Sequence, residues 1–118
     1  MARGRVPISI GEPRFTAMRL REVLHYDPET GLLTWLISVG RRKRGDVAGY
    51  LEHDGYIRVK FGGHWYAAAH LAWLYMTGEW PKDLIDHEDQ QRANNRWLNL
   101  RPATTKQNAE NTRIYSTN

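Results

Sequence analysis

An aspartate and a histidine stand side by side at the end of a short aliphatic run, Leu84-Ile85-Asp86-His87, and the chain turns polar at once with Glu88, Asp89, Gln90 and Gln91. An imidazole exchanges a proton near neutral pH without help from its surroundings. A carboxylate beside it is a hard oxygen donor, suited to cations such as Mg²⁺ or Mn²⁺. Further along stand Asn99 and Asn108, and the Asn108 amide oxygen is a hard ligand of the same kind. The chain has no cysteine, which excludes disulfides and any thiolate zinc site.

These residues need elements to position them. Leu84 to His87 reads as a short strand that delivers Asp86 and His87 to its end. The stretch Arg92-Ala93-Asn94-Asn95-Arg96 is a polar loop whose asparagines tolerate tight turns. Trp97-Leu98-Asn99-Leu100-Arg101 alternates like a second strand, with Trp97 and Asn99 on one face, and Pro102 is expected to end it. Thr104-Thr105-Lys106-Gln107 offers a capping box that opens a helix, with Asn108 in its first turn or just past it.

The preceding chain supplies the rest of the body. Thr16 can cap a helix running to about His25, with Met18, Val23 and Leu24 as candidate buried positions. Tyr26-Asp27-Pro28-Glu29-Thr30-Gly31 is turn chemistry, followed by a strand over Leu32 to Ile37. Gly40 and Gly45 bracket an exposed basic loop. Val47 to Leu51 and Tyr56 to Phe61 read as strands, and in the second Ile57, Val59 and Phe61 alternate with Tyr56, Arg58 and Lys60. Gly62-Gly63 signals a two-residue hairpin whose return strand is His64-Trp65-Tyr66. Ala67 to Thr77 is helical, stopped by Gly78 with Pro81 after it.

Lysine and arginine number 17 against 13 acidic residues, and the excess is unevenly placed. Arg41, Arg42, Lys43 and Arg44 are consecutive, and Arg3, Arg5, Arg14, Arg19 and Arg21 make the start basic. A polyanionic partner and a solvated surface fit this charge equally well. No apolar run approaches the ~20 residues of a membrane helix, and the start lacks the apolar core of a signal peptide. Together with the lack of cysteine, this leads to the expectation of an intracellular, cytoplasmic protein.

The order strand, loop, strand, helix, with His87, Asn99 and Asn108 at its decisive places, resembles the HNH nuclease motif, the ββα-metal fold. The longer pattern resembles the small HNH endonucleases of bacteriophages, which are homing-endonuclease-like. It runs from Tyr26-Asp27-Pro28-Glu29-Thr30-Gly31 through Ala69-His70-Leu71-Ala72-Trp73-Leu74-Tyr75 to Asp86-His87 and Asn99-Leu100-Arg101. The resemblance covers roughly residues 18 to 111. It implies an α+β fold of small antiparallel sheets or hairpins, short helices and a C-terminal ββα-metal element. The expected layout is a basic arm at 1–15, a β-rich DNA-contacting part at 16–83, the HNH motif at 84–111 and a frayed tail at 112–118, together one domain.

The resemblance further implies a metal-dependent DNA endonuclease. His87 would be the general base, Asp86 and Asn108 would hold one Mg²⁺ or Mn²⁺, and Asn99 would tie the loop between the strands. Asn108 stands where many relatives carry His, which argues against a tight zinc site. Asn94 stands where relatives often carry Asp, which puts a loop hydrogen bond in doubt. The partner would be double-stranded DNA, the protein a monomer or weak homodimer, and the compartment a bacterial host's cytoplasm if phage-encoded. Expected DNA contacts are Arg41, Arg42, Lys43, Arg44, Arg58, Lys60, His70, Arg96 and Arg101.

Blander roles stand beside several of these. Arg58, Lys60 and Tyr56 could equally be a solvated strand face. His70 is more readily a structural or phosphate-contacting residue than a metal ligand. Trp65, Trp73, Trp80 and Trp97 suit packing better than base stacking. Glu88 and Asp89 read as loop charges. The main rival function is a DNA-binding module without turnover, against which the intact Asp86, His87 and Asn108 set argues. A toxin-like nuclease would need a translocation module, and none is legible.

Overall fold

The computed structural model describes residues 16–103. Among them the chain forms two helices and seven short strands in three antiparallel sheets. The arm at 1–15, the capping box, Asn108 and the tail at 112–118 lie outside the described residues.

Helix α1 (Ala17–Val23) begins where Thr16 Oγ1 accepts the Arg19 N–H, which satisfies one of the orphan donors of a helix start. It buries Ala17, Leu20 and Val23, spaced along one face. Met18 is one step off that stripe and is 72% exposed, which corrects the expectation that it is buried. The helix also stops before His25, because Leu24 enters β1 (Leu24–Tyr26), which pairs with β2 (Leu33–Trp35). Their connection is the Asp27–Gly31 turn, held by Asp27 Oδ1 accepting the Glu29 N–H and Asp27 O accepting the Gly31 N–H.

Strands β3 (Tyr50–Leu51), β4 (Ile57–Phe61) and β5 (His64–Ala67) form the second sheet. Gly62 and Gly63 both have positive φ, +62° and +83°, as the tight hairpin turn demands. The strand expected over Val47 to Leu51 contracts to β3, with Val47 making one isolated bridge to Thr34. Helix α2 (Ala68–Thr77) follows directly and ends with Gly78 in the left-handed region, its N–H donating to Leu74 O. The buried cluster takes Leu20 and Val23 from α1, Leu24, Tyr26 and Trp35 from the first hairpin, Val59 from β4, and Leu71 and Leu74 from α2.

The third sheet pairs β6 (Leu84–His87) with β7 (Leu100–Ala103), with Asp86 opposite Arg101 and His87 opposite Leu100. Two expectations change here. Trp97–Asn99 is a 3-10 turn rather than strand, and Leu98 points outward at 90% exposure. Pro102 lies inside β7, opposite Ile85, instead of ending it. A proline is tolerated there because a two-stranded sheet is all edge. Among the described residues no helix is long and apolar enough to cross a membrane.

Candidate active site

The last residue of β6, His87, is buried, 6% exposed. Its Nε2 lies 2.8 Å from Asn95 Oδ1, and its ring centroid lies 6.0 Å from that of Tyr56. Asn95 is itself buried, and its backbone oxygen accepts the Tyr26 hydroxyl. Burial, with the Asp27 charge adding to it, raises the Tyr26 phenol well above its ordinary value, so it stays a neutral donor.

Asp86 precedes His87, and strand alternation gives it different surroundings. Arg101 Nε and Nη2 both donate to its Oδ2, at 3.1 and 3.0 Å. Among the described residues no hydrogen bond falls on Oδ1, and the carboxylate side chain is 29% exposed. Arg101, expected among the DNA contacts, thus holds Asp86.

The loop from β6 to β7 is organised by Asp89 and Asn99. The Asp89 N–H donates to Asn99 Oδ1, and Asn99 Nδ2 donates to Asp89 Oδ1 and to Asn94 O. Asn94 Nδ2 donates to Asp89 Oδ2 at 2.7 Å, so the loop hydrogen bond that this position put in doubt is made by the amide. The Gln91 N–H adds a further donor. The Asn94 bond, then those of Gln91 and Asn99, hold the Asp89 carboxyl below its ordinary value. Asp89 is therefore the loop's staple and more than a loop charge. Asn99, the residue expected to tie the loop, makes three of these bonds.

The other expected residues differ in exposure. Arg41, Lys43 and Arg44 are exposed on their loop. Arg42 is half-buried, its guanidinium 5.3 Å from the Trp35 ring and 5.8 Å from the Tyr50 ring. Lys60 sits 5.7 Å over the Trp65 ring and is exposed. Arg58 is buried, with Nη1 and Nη2 on the two Asp54 oxygens at 3.1 and 3.0 Å, so it does not share a solvated face with Lys60. The Arg58 bond, with the Tyr56 N–H next, lowers the Asp54 carboxyl to about 2. His70 is half-buried in the first turn of α2, and Arg96 is exposed beside Asn95. Trp73 and Trp97 pack together with ring centroids 5.0 Å apart, and Tyr66 stacks on Trp80.

Sequence reasoning passed over Asn95, Tyr26 and Arg92. Arg92 Nη1 donates to Asp54 O, and its guanidinium lies 5.1 Å from the Tyr56 ring, which docks the second sheet against the loop. Asn95 carried one weak signal, its place in the Asn94-Asn95 pair; Tyr26 opens the Tyr26–Gly31 pattern, which does not point to Asn95; Arg92 carried none.

A histidine at a strand end, an asparagine-stapled loop and a short antiparallel return strand sit here in an α+β fold similar to that of an HNH homing endonuclease. Residues 66–110 match the family model described as HNH endonuclease, a segment that runs from the end of β5 through α2 and the β6–β7 element. The chain is similar to the structure titled "DNA binding and cleavage by the HNH homing endonuclease I-HmuI", with a TM-score of 0.60 and 25% sequence identity. That match covers 81% of this chain and 55% of the other, so this chain spans little more than half its length. No curated protein matches the chain.

Proposed function

We propose that this protein is a metal-dependent endonuclease that hydrolyses phosphodiester bonds in double-stranded DNA, with His87 as general base. The observation that carries this is His87 itself: a buried imidazole at the end of β6, beside Asp86, within the segment that matches HNH endonucleases. The likeness to a structure titled for DNA binding and cleavage supports DNA as the substrate.

In this reading Asp86 and Asn108 hold one Mg²⁺ or Mn²⁺. Asp86 fits such an ion in charge and hardness, and Arg101 leaves its Oδ1 without a hydrogen bond among the described residues. Asn108 lies outside the described residues, so the second ligand rests on the resemblance. Bound there, a divalent cation would polarise the phosphoryl oxygens and stabilise the departing 3′ oxygen. His87 would take the proton of the attacking water. Asn99 and Asp89 would keep the loop in register with β6. Exposed cations at Arg41, Lys43, Arg44, Lys60 and Arg96 would contact phosphates and position the duplex.

Plasmid cleavage with Mg²⁺, Mn²⁺ or EDTA tests this directly. His87→Ala should lose ~10²–10⁴-fold in rate while DNA binding persists. Asp86→Ala and Asn108→Ala should each lose activity, and Asp86→Ala should lower the affinity for the cation more, because it removes a full charge. Asn108→His should keep partial activity. Full cleavage in EDTA, or a His87→Ala protein that cuts at wild-type speed, rules the assignment out. DNA binding without cleavage by the intact chain would favour the non-catalytic alternative.

A further inference from the structure

The bond between His87 and Asn95 fixes more than a position. Asn95 Oδ1 is a carbonyl oxygen, which only accepts, so at 2.8 Å the His87 Nε2 must carry the hydrogen. In the neutral ring Nδ1 then carries the bare lone pair. Asn95 is one of the few buried polar residues of the described chain, and its backbone is gripped from the first hairpin. The Tyr26 hydroxyl donates to Asn95 O across a separation of 69 residues. The Trp97 N–H donates to Pro28 O, and Gly31 lies against the Asn95–Arg96 peptide. The segment that matches HNH endonucleases starts only at residue 66, so the hairpin bearing Tyr26 and Gly31 lies wholly outside it.

We propose that Asn95 is the positioning residue that selects the tautomer and orientation of the His87 imidazole, and that Tyr26 holds Asn95 in place. The β1–β2 hairpin then completes the active site although it touches no substrate. This rests on His87 being the base. A side chain that could rotate or take the other tautomer would present Nδ1–H to the water and could accept nothing from it. Partners of this kind, which orient a reacting imidazole, cost about 10–100-fold when removed.

The test has two arms. Long-range proton–nitrogen spectra of the metal-free full chain at one pH above the imidazole range read the His87 tautomer without activity. Wild type should show the Nε2–H form. Asn95→Leu, close in size but without an acceptor, should show a mixture, and Asn95→Asp, which restores an acceptor, should return to Nε2–H. In cleavage assays Asn95→Leu should lower kcat about 10–100-fold with KM little changed, and Asn95→Asp should recover most of it. Tyr26→Phe should lower kcat by a smaller factor in the same sense. A wild-type spectrum with the proton on Nδ1 overturns the proposal, even if every variant fails to fold. So does an Asn95→Leu protein with unchanged kcat and tautomer. Absence of cleavage by wild type, with the tautomer results as expected, would instead remove the nuclease reading and leave Asn95's control of the ring intact.

Discussion

Gly31 lies so close to Asn95 that a Cβ on it would stand 2.5 Å from the Asn95 carbonyl carbon and 2.6 Å from the Arg96 nitrogen. Both are backbone atoms, which cannot swing aside as a side chain could. The hairpin turn therefore abuts the loop behind His87 with no room for a methyl group.

Gly31→Ala should be more destabilising than Gly62→Ala for this reason. Both glycines have positive φ, +80° and +62°, so each substitution carries the ~1–2 kcal/mol conformational cost of an L-residue there. Gly62 has nothing within 4 Å of its Cβ position, and the excess at Gly31 measures the docking. Urea denaturation of the two variants provides the comparison. Equal losses would mean that the turn and the loop part freely in solution.

Asn99→Ala should loosen the loop and lower stability by about 1–3 kcal/mol, since it strips bonds from Asp89 and Asn94. Amide hydrogen exchange across residues 88–99 should quicken. Asn99→Asp should be worse than Ala, because it sets a second carboxylate against Asp89. Exchange rates unchanged from wild type in the Ala variant would show that the loop is held by other contacts.

The basic loop should divide into two kinds of cation. Replacing Arg41, Lys43 and Arg44 by Gln should weaken DNA binding and flatten its salt dependence by ~0.9 in log–log slope for each true phosphate contact. Their melting temperature should hardly move, because all three side chains are exposed. Arg42→Gln should cost stability instead, through loss of its contacts with Trp35 and Tyr50. An unchanged salt slope in the triple variant would leave the block as a solvated loop.

Acid should unfold the protein partly through Asp54 and Asp89. Both carboxyls are held below their ordinary values in the folded chain, Asp54 at about 2. The stability they contribute is therefore fully present above the ordinary carboxylate range and is lost as pH falls toward the folded values. Thermal melts from pH 7 down to pH ~2 should steepen in that window. Asp54→Asn should lower stability at neutral pH and flatten the acid limb. A parallel curve for the variant would mean that the Arg58 pair does not couple to folding.

The amino-acid sequence alone determined the features that depend on a residue and its near neighbours. Thr16 caps α1 because its hydroxyl reaches the Arg19 amide three residues on. Gly62-Gly63 turns the β4–β5 hairpin, and Gly78 ends α2, because these backbones need positive φ. Leu84-Ile85-Asp86-His87 forms a strand whose end carries the histidine. The candidate residues His87, Asp86 and Asn99 were legible for the same reason, as types at a spacing.

Tertiary structure decided what those residues face. Trp97 to Asn99 alternates like a strand, yet β7 starts only at Leu100, where β6 supplies a partner, and Trp97 turns to meet Trp73. Arg58 reads equally as a DNA contact or a solvated cation, yet Asp54 neutralises it and allows its burial. Asn95 reads as one more loop asparagine, yet Tyr26 and Gly31 press it against His87. Each outcome depends on groups far apart in the chain, brought together by burying a shared apolar core, and no local pattern encodes which of them will meet.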